Sequence, residues 1–237
     1  MIQKKFILFA ALLCCSLVSQ LATAAEETAM KENVLKSIAG RIVEKQQAIG
    51  KFQFIETQQT HIQALQEITI VKKTRVSSDG TKITEQELLE ASMNGKEISQ
   101  QKMDQIQDRF QGLLNWQEKM APVQTALVND QFQSQISLMG EAISKGSAVY
   151  RLKYVPFLSQ TLQEVDFEVD KASYDLVTMD IIAKATDTVK NSRIHLEYQK
   201  SINGYSLPAL VTIKSQIQKR RLLTVDSQIS LNDYRKL

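Results

Sequence analysis

The chain has 237 residues, 43% hydrophobic and 23% charged, with a formal net charge of +3. Those proportions belong to an ordinary globular protein and exclude a disordered chain or a multi-pass membrane protein. Loss of Lys4 and Lys5 with a leader lowers the net charge by two, which removes electrostatic capture of nucleic acid as a founding function.

The first segment reads as a secretory signal. Two lysines lie within 1–5, an almost wholly apolar run covers 6–18, and Ala22-Thr23-Ala24 offers the small residues of a cleavage site. The apolar run is too short to span a bilayer. The expected organisation is a signal peptide at 1–24 and a single domain at 25–237, long enough for a substantial core. Cys14 and Cys15 both fall inside the leader, and Leu13 before Cys14 is not the small residue that lipoprotein processing requires. The mature chain therefore has no thiol, disulfide or Cys-based metal site.

Apolar residues Met30, Val34, Ile38 and Ile42, flanked by Leu35, Ala39 and Val43, recur at helical spacing and predict an amphipathic helix over 30–47 that ends near Gly50. The period then changes. Segments 51–64, 67–76 and 82–93 read as strands, with Asp79-Gly80 and Asn94-Gly95 as hairpin turns. Helical spacing returns over 99–120, with Ser99 as N-cap, Pro122 as the stop and one or two more helical turns over 123–128. Beyond it, 131–139, 147–155, 164–170, 174–185, 191–201, 206–215 and 220–231 are of strand length. Gly140, Lys145-Gly146, Asp170-Lys171 and Asn203-Gly204 punctuate this meander.

Alternation such as Val165, Phe167 and Val169 against Glu164, Asp166 and Glu168 gives the sheet one apolar and one wet face. Only two amphipathic helices are present to cover that apolar face. The expected fold is α+β: a large curved antiparallel sheet, a half-barrel, with an N-terminal helix and a central helical lid over the concave face.

Catalytic motifs are missing. The chain holds no Gly-rich phosphate loop, no His-Glu-x-x-His and no nucleophile elbow, so no enzyme activity, catalytic residue, metal site or cofactor is expected. His61 and His195 lack a second ligand at workable spacing. Glu164, Asp166, Glu168 and Asp170 read as a wet strand face opposite Arg151 and Lys153 rather than a cation site. Lys219-Arg220-Arg221 fits either an exposed strand end or a contact with lipid phosphates.

The order of elements, together with GSAVYRLKYVP at 146–156, VDFEVD at 165–170, NGYSLP at 203–208 and NDYRK at 232–236, resembles the bacterial lipoprotein-carrier superfamily, the Lol carriers, receptors and their relatives. The Gly, Arg-Pro-Gly and Trp pattern of the true carriers is absent, so no functional residue is carried over from them. The resemblance implies a soluble periplasmic protein of a Gram-negative bacterium that binds lipid or lipoprotein acyl chains in an apolar half-barrel. A second reading is a periplasmic sensor of similar fold that signals to an inner- or outer-membrane partner protein.

On that view the sheet contributes Phe52, Phe54, Leu152, Tyr154 and Phe167 together with Ile194, Leu196, Tyr198, Val211 and Ile213. The lid is Phe110, Leu113, Leu114 and Trp116, residues that a core helix would show equally. An enclosed chain of about 16 carbons gains roughly 12 kcal/mol at ~0.8 kcal/mol per methylene, so a carrier that releases its cargo needs an otherwise self-packed cavity and a two-state lid.

Overall fold

The computed structural model describes residues 28–237 apart from 80–82, 115, 158 and 219–221, and the side chains at 107, 109–114, 118 and 121 also fall outside the described set. The leader, Gly80 and the Lys219-Arg220-Arg221 cluster therefore lie outside the described residues.

Helix α1 spans 28–49 and buries Val34, Leu35, Ile38 and Ile49. Met30 and Val43, expected on its apolar stripe, are instead exposed at 42% and 43%. The helix ends at Gly50, whose φ of 60° suits a residue without Cβ and whose N–H donates to the Gln46 carbonyl at 3.3 Å.

Strands β1 (Phe52–Gln63), β2 (Glu67–Ser78), β3 (Ile83–Met93) and β4 (Lys96–Glu97) follow. Asn94 and Gly95 both take positive φ, as a type I′ turn requires. Helix α2 (Gln100–Leu114) starts at Ser99, whose hydroxyl accepts from the Lys102 N–H at 3.4 Å.

Pro122 does not stop the helical segment. It sits inside α3 (Trp116–Val128), which buries Trp116, Met120, Val123, Ala126 and Leu127. An interior proline costs about 3 kcal/mol, whereas each large apolar side chain buried gains roughly 1.5–3 kcal/mol, so the inner face outweighs the lost hydrogen bond.

The strand expected over 131–139 is also corrected. Asn129 accepts from the Gln131 N–H at 3.0 Å and caps a short helix α4 (Asp130–Gln133), so β5 (Ile136–Ser144) begins later. Gly140 makes no turn either. It lies within β5 at φ 119°, where the register shifts between Leu138 and Gly140, a bulge that glycine accommodates.

The remaining strands are β6 (Ser147–Tyr154), β7 (Leu162–Asp170), β8 (Leu176–Ala183), β9 (Val189–Lys200), β10 (Ser206–Gln218) and β11 (Leu222–Lys236). All eleven form one antiparallel sheet in the order β4-β3-β2-β1-β11-β10-β9-β8-β7-β6-β5. Pairing of β1 with β11, for example Thr57 with Ser230, joins the N-terminal hairpins to the C-terminal meander. Strands β4 and β5 lie at opposite ends of the order, so the curved sheet is open, a half-barrel.

The main core unites Val34, Leu35 and Ile38 of α1 with Trp116, Val123 and Leu127 of α3 and the inner face of the sheet. A second cluster sets Met103 of α2 against Ile62, Ile70, Ala91, Ile217 and Val225. Between these two apolar regions the sheet carries something else.

Candidate ligand-binding cavity

Along β1 the inward side chains are Phe54, Glu56, Gln58, Thr60 and Ile62, all buried. The first belongs to the main core and the last to the second cluster, which leaves three consecutive polar positions between them. Strand β2 repeats the pattern, with Lys72 and Thr74 between Ile70 and Val76. Register pairs Gln58 with Lys72, Glu56 with Thr74, and Thr60 with Ser227 of β11.

Part of this polar belt satisfies itself. The Gln58 side-chain amide donates to the Thr60 and Ser227 hydroxyls, both at 3.2 Å, and those hydroxyls share a hydrogen bond of 2.9 Å. On the next two strands, β10 and β9, the Ser215 and Ser192 hydroxyls meet at 2.8 Å. The other part is left open. The Thr74 hydroxyl is buried without a partner among the described residues.

The side chains of Glu56 and Lys72, residues 7% and 8% exposed, also make no hydrogen bond or ion pair with any described side chain. They face a cavity of about 350 Å³ between the inner sheet and the α2–α3 segment. Ile70, Met103, Ile106, Trp116 and Ile229 supply its apolar walls, and the exposed Asp104 and Asp108 stand at its rim. Burial pushes the Glu56 carboxyl above its ordinary range, opposed by the Lys72 charge. Burial lowers the Lys72 amine, opposed by Glu56 and Asp104. Unpaired ionisable groups facing a cavity are a common signature of a functional site.

A smaller cavity of about 150 Å³ lies where α1 and α3 meet the sheet, lined by Ile42, Lys45, Phe52, Leu127, Met179 and Tyr198 among others. The Tyr198 hydroxyl has no partner among the described residues, and burial holds its pKa far above the phenol range.

The sheet residues expected to contact a lipid all turn toward the interior. Leu152, Phe167, Ile194, Leu196, Val211 and Ile213 are 2% exposed or less and packed within the main core, alongside Phe54 and Tyr154. Phe52 and Tyr198 line the smaller cavity, and Trp116 lines the larger one while packing into the main core. The Phe110, Leu113 and Leu114 side chains lie outside the described residues.

Sequence reasoning passed over Glu56, Gln58, Thr60 and Lys72. The available signal was parity. Phe54 and Ile62 have the same parity as Glu56, Gln58 and Thr60, so a strand with Phe54 and Ile62 inward must also turn those three inward.

The remaining candidates are engaged in the outer sheet surface. His61 hydrogen-bonds Thr69 and Gln59, both at 3.1 Å, while His195 lies 3.2 Å from Asp180 and 3.6 Å from Glu197. In the acidic row, Glu164 pairs with Lys153 at 2.9 Å, and Glu168 accepts from the Ser144 and Thr178 hydroxyls at 2.6 and 3.0 Å.

No protein-family model and no curated protein matches the chain. Solved structures of similar fold include an outer membrane lipoprotein-sorting protein domain from Vibrio parahaemolyticus, 11% identical over 86% of this chain and 92% of that one, with a TM-score of 0.40. A DUF1329 family protein from Desulfovibrio piger is 12% identical over 85% and 92% of the two chains, at a TM-score of 0.42. A LolA superfamily protein from Nitrosomonas europaea is 10% identical over 85% and 93%, at 0.40.

Proposed function

We propose that the chain is a non-enzymatic periplasmic protein that binds a lipid or lipoprotein acyl chain, admitting it at the α2 side of the half-barrel. The observation that carries this reading is the cavity of about 350 Å³ bounded by Ile70, Met103, Ile106 and Trp116. Ligand pockets run from roughly 300 to 1,000 Å³, so a cavity of this size encloses part of an acyl chain and the rest requires α2 to move outward.

Tight packing of the C-terminal half supports this placement. An acyl chain laid over Leu196 and Ile213 must displace α3, whose Val123, Ala126 and Leu127 are 0–1% exposed. The self-packed interior keeps the net gain below the ~0.8 kcal/mol per methylene of simple burial, which permits release.

Titration of the purified protein with a fluorescent fatty-acyl probe tests the proposal. Saturable binding of one probe per chain is expected. Absence of binding up to the solubility limit of the probe contradicts it.

A further inference from the structure

The buried Glu56 and Lys72 are an expensive feature if the interior only has to pack. Two buried charges that lack hydrogen bonds are worse for stability than an apolar pair of similar volume. They are diagonal neighbours on adjacent strands, about 7–8 Å apart as positions, and their charged ends do not meet in an ion pair. Both line the same cavity as Trp116 and Met103.

We propose that this cavity recognises the polar end of an uncharged amphiphile that carries a hydrogen-bond acceptor beside a donor, as an acyl carboxamide does. This inference rests on the acyl-chain reading above and specifies its ligand. The carbonyl oxygen accepts from Lys72 Nζ, the amide N–H donates to a Glu56 carboxylate oxygen, and the hydrocarbon lies against Trp116, Met103 and Ile106.

Charge argues for a neutral headgroup. Lys72 is the one cation lining the cavity among the described residues, set against Glu56 inside and Asp104 and Asp108 at the rim. Among the described residues, a carboxylate or phosphate headgroup meets more negative than positive charge there, and a cationic one meets Lys72. A group that gives one hydrogen bond and takes one leaves neither buried residue unsatisfied.

The test compares three ligands of identical chain length on the purified protein at neutral pH: the primary fatty amide, the fatty acid and its methyl ester. The amide is expected to bind at least about tenfold more tightly than either, the loss anticipated when a buried polar group stays unpaired. Equal or tighter binding of the fatty acid or ester overturns the inference while leaving the acyl-chain reading intact. Failure of all three to bind removes both. In the Glu56→Leu/Lys72→Met double variant, checked for native secondary structure by circular dichroism, the preference for the amide should vanish. A variant that folds and keeps a tenfold preference overturns the assignment to these two residues.

Discussion

Arg41 of α1 grips Asp175, in the connection between β7 and β8, through two parallel hydrogen bonds, Nε to Oδ1 at 3.0 Å and Nη2 to Oδ2 at 3.1 Å. The Asp175 side chain is 4% exposed, so the pair is largely withdrawn from water on the acid side. The same guanidinium lies 4.2 Å from the centre of the Tyr205 ring, and the Tyr205 hydroxyl donates to Glu44 at 2.9 Å. Helix α1 is thus fastened to the sheet at one end of the half-barrel by planar, bidentate contacts that only arginine provides.

Arg41→Met should therefore destabilise the fold by about 2–4 kcal/mol, because it strands the buried Asp175 carboxylate. Arg41→Lys should recover only part of that loss. Urea denaturation measures both, and a loss below about 0.5 kcal/mol for Arg41→Met means that α1 is not held there.

Asp170 closes the turn after β7 by accepting from the Ala172 N–H at 3.0 Å, the Ser173 N–H at 2.8 Å and the Ser173 hydroxyl at 3.0 Å. Burial pushes its carboxyl up, but the Ser173 and Ala172 donors together hold it below its ordinary range. The folded group titrates below its unfolded counterpart at about 3.9, so its contribution is whole above that pH and lost as pH falls through the lower folded value. Asp170→Asn should cost about 1–3 kcal/mol at pH 7, and the gap from the parent protein should narrow as the solution is made more acidic than the ordinary aspartate range. A gap independent of pH argues against the charged turn.

In the polar belt, Ser227 is fully buried and serves both Gln58 and Thr60. Ser227→Ala should cost about 1–2 kcal/mol, because the Gln58 amide loses an acceptor without access to bulk water. Thermal unfolding compares it with the Ser227→Ala/Thr60→Val pair, in which the combined loss should fall short of the sum of the single losses.

Trp116 joins the two parts of the interior, packed in the main core and lining the larger cavity. Trp116→Ala should lose about 3–5 kcal/mol and enlarge the cavity. Under the acyl-binding proposal, a saturating fatty amide should then raise the melting temperature more in the variant than in the parent. An equal or smaller rise means that the added volume is not ligand space.

Much of the fold was legible because strong local signals agreed with the tertiary arrangement. Asn94-Gly95 and Lys145-Gly146 marked real turns, and both pairs adopt positive φ. Ser99 caps α2. Alternation set Phe167, Leu196 and Ile213 on the inner face correctly. Pro122 misled because its local cost is outweighed by burial of Val123 and Leu127, a tertiary gain that no window of sequence displays. Gly140 misled because a bulge and a turn both favour glycine at positive φ.

The cavity was less legible for a different reason. The parity of Phe54 and Ile62 already turns Glu56 and Gln58 to one face of β1, but polar side chains at three consecutive positions of that face carry no local sign that it is covered. The pairing of β1 with β11, across almost the whole length of the chain, joins that face to the core strands that the helices cover. The apolar half-barrel expected from the sequence therefore carries a polar belt between its main core and the cluster around Met103, and the cavity of about 350 Å³ opens on that belt.

Mass spectrometry of lipids extracted from the protein purified out of the periplasm, with a parallel extraction of a Trp116→Ala preparation, measures the central claim directly. The account predicts an acyl lipid enriched over the surrounding membrane composition and approaching one per chain in the parent protein. Extracts from properly folded protein that contain no acyl lipid above background would contradict it.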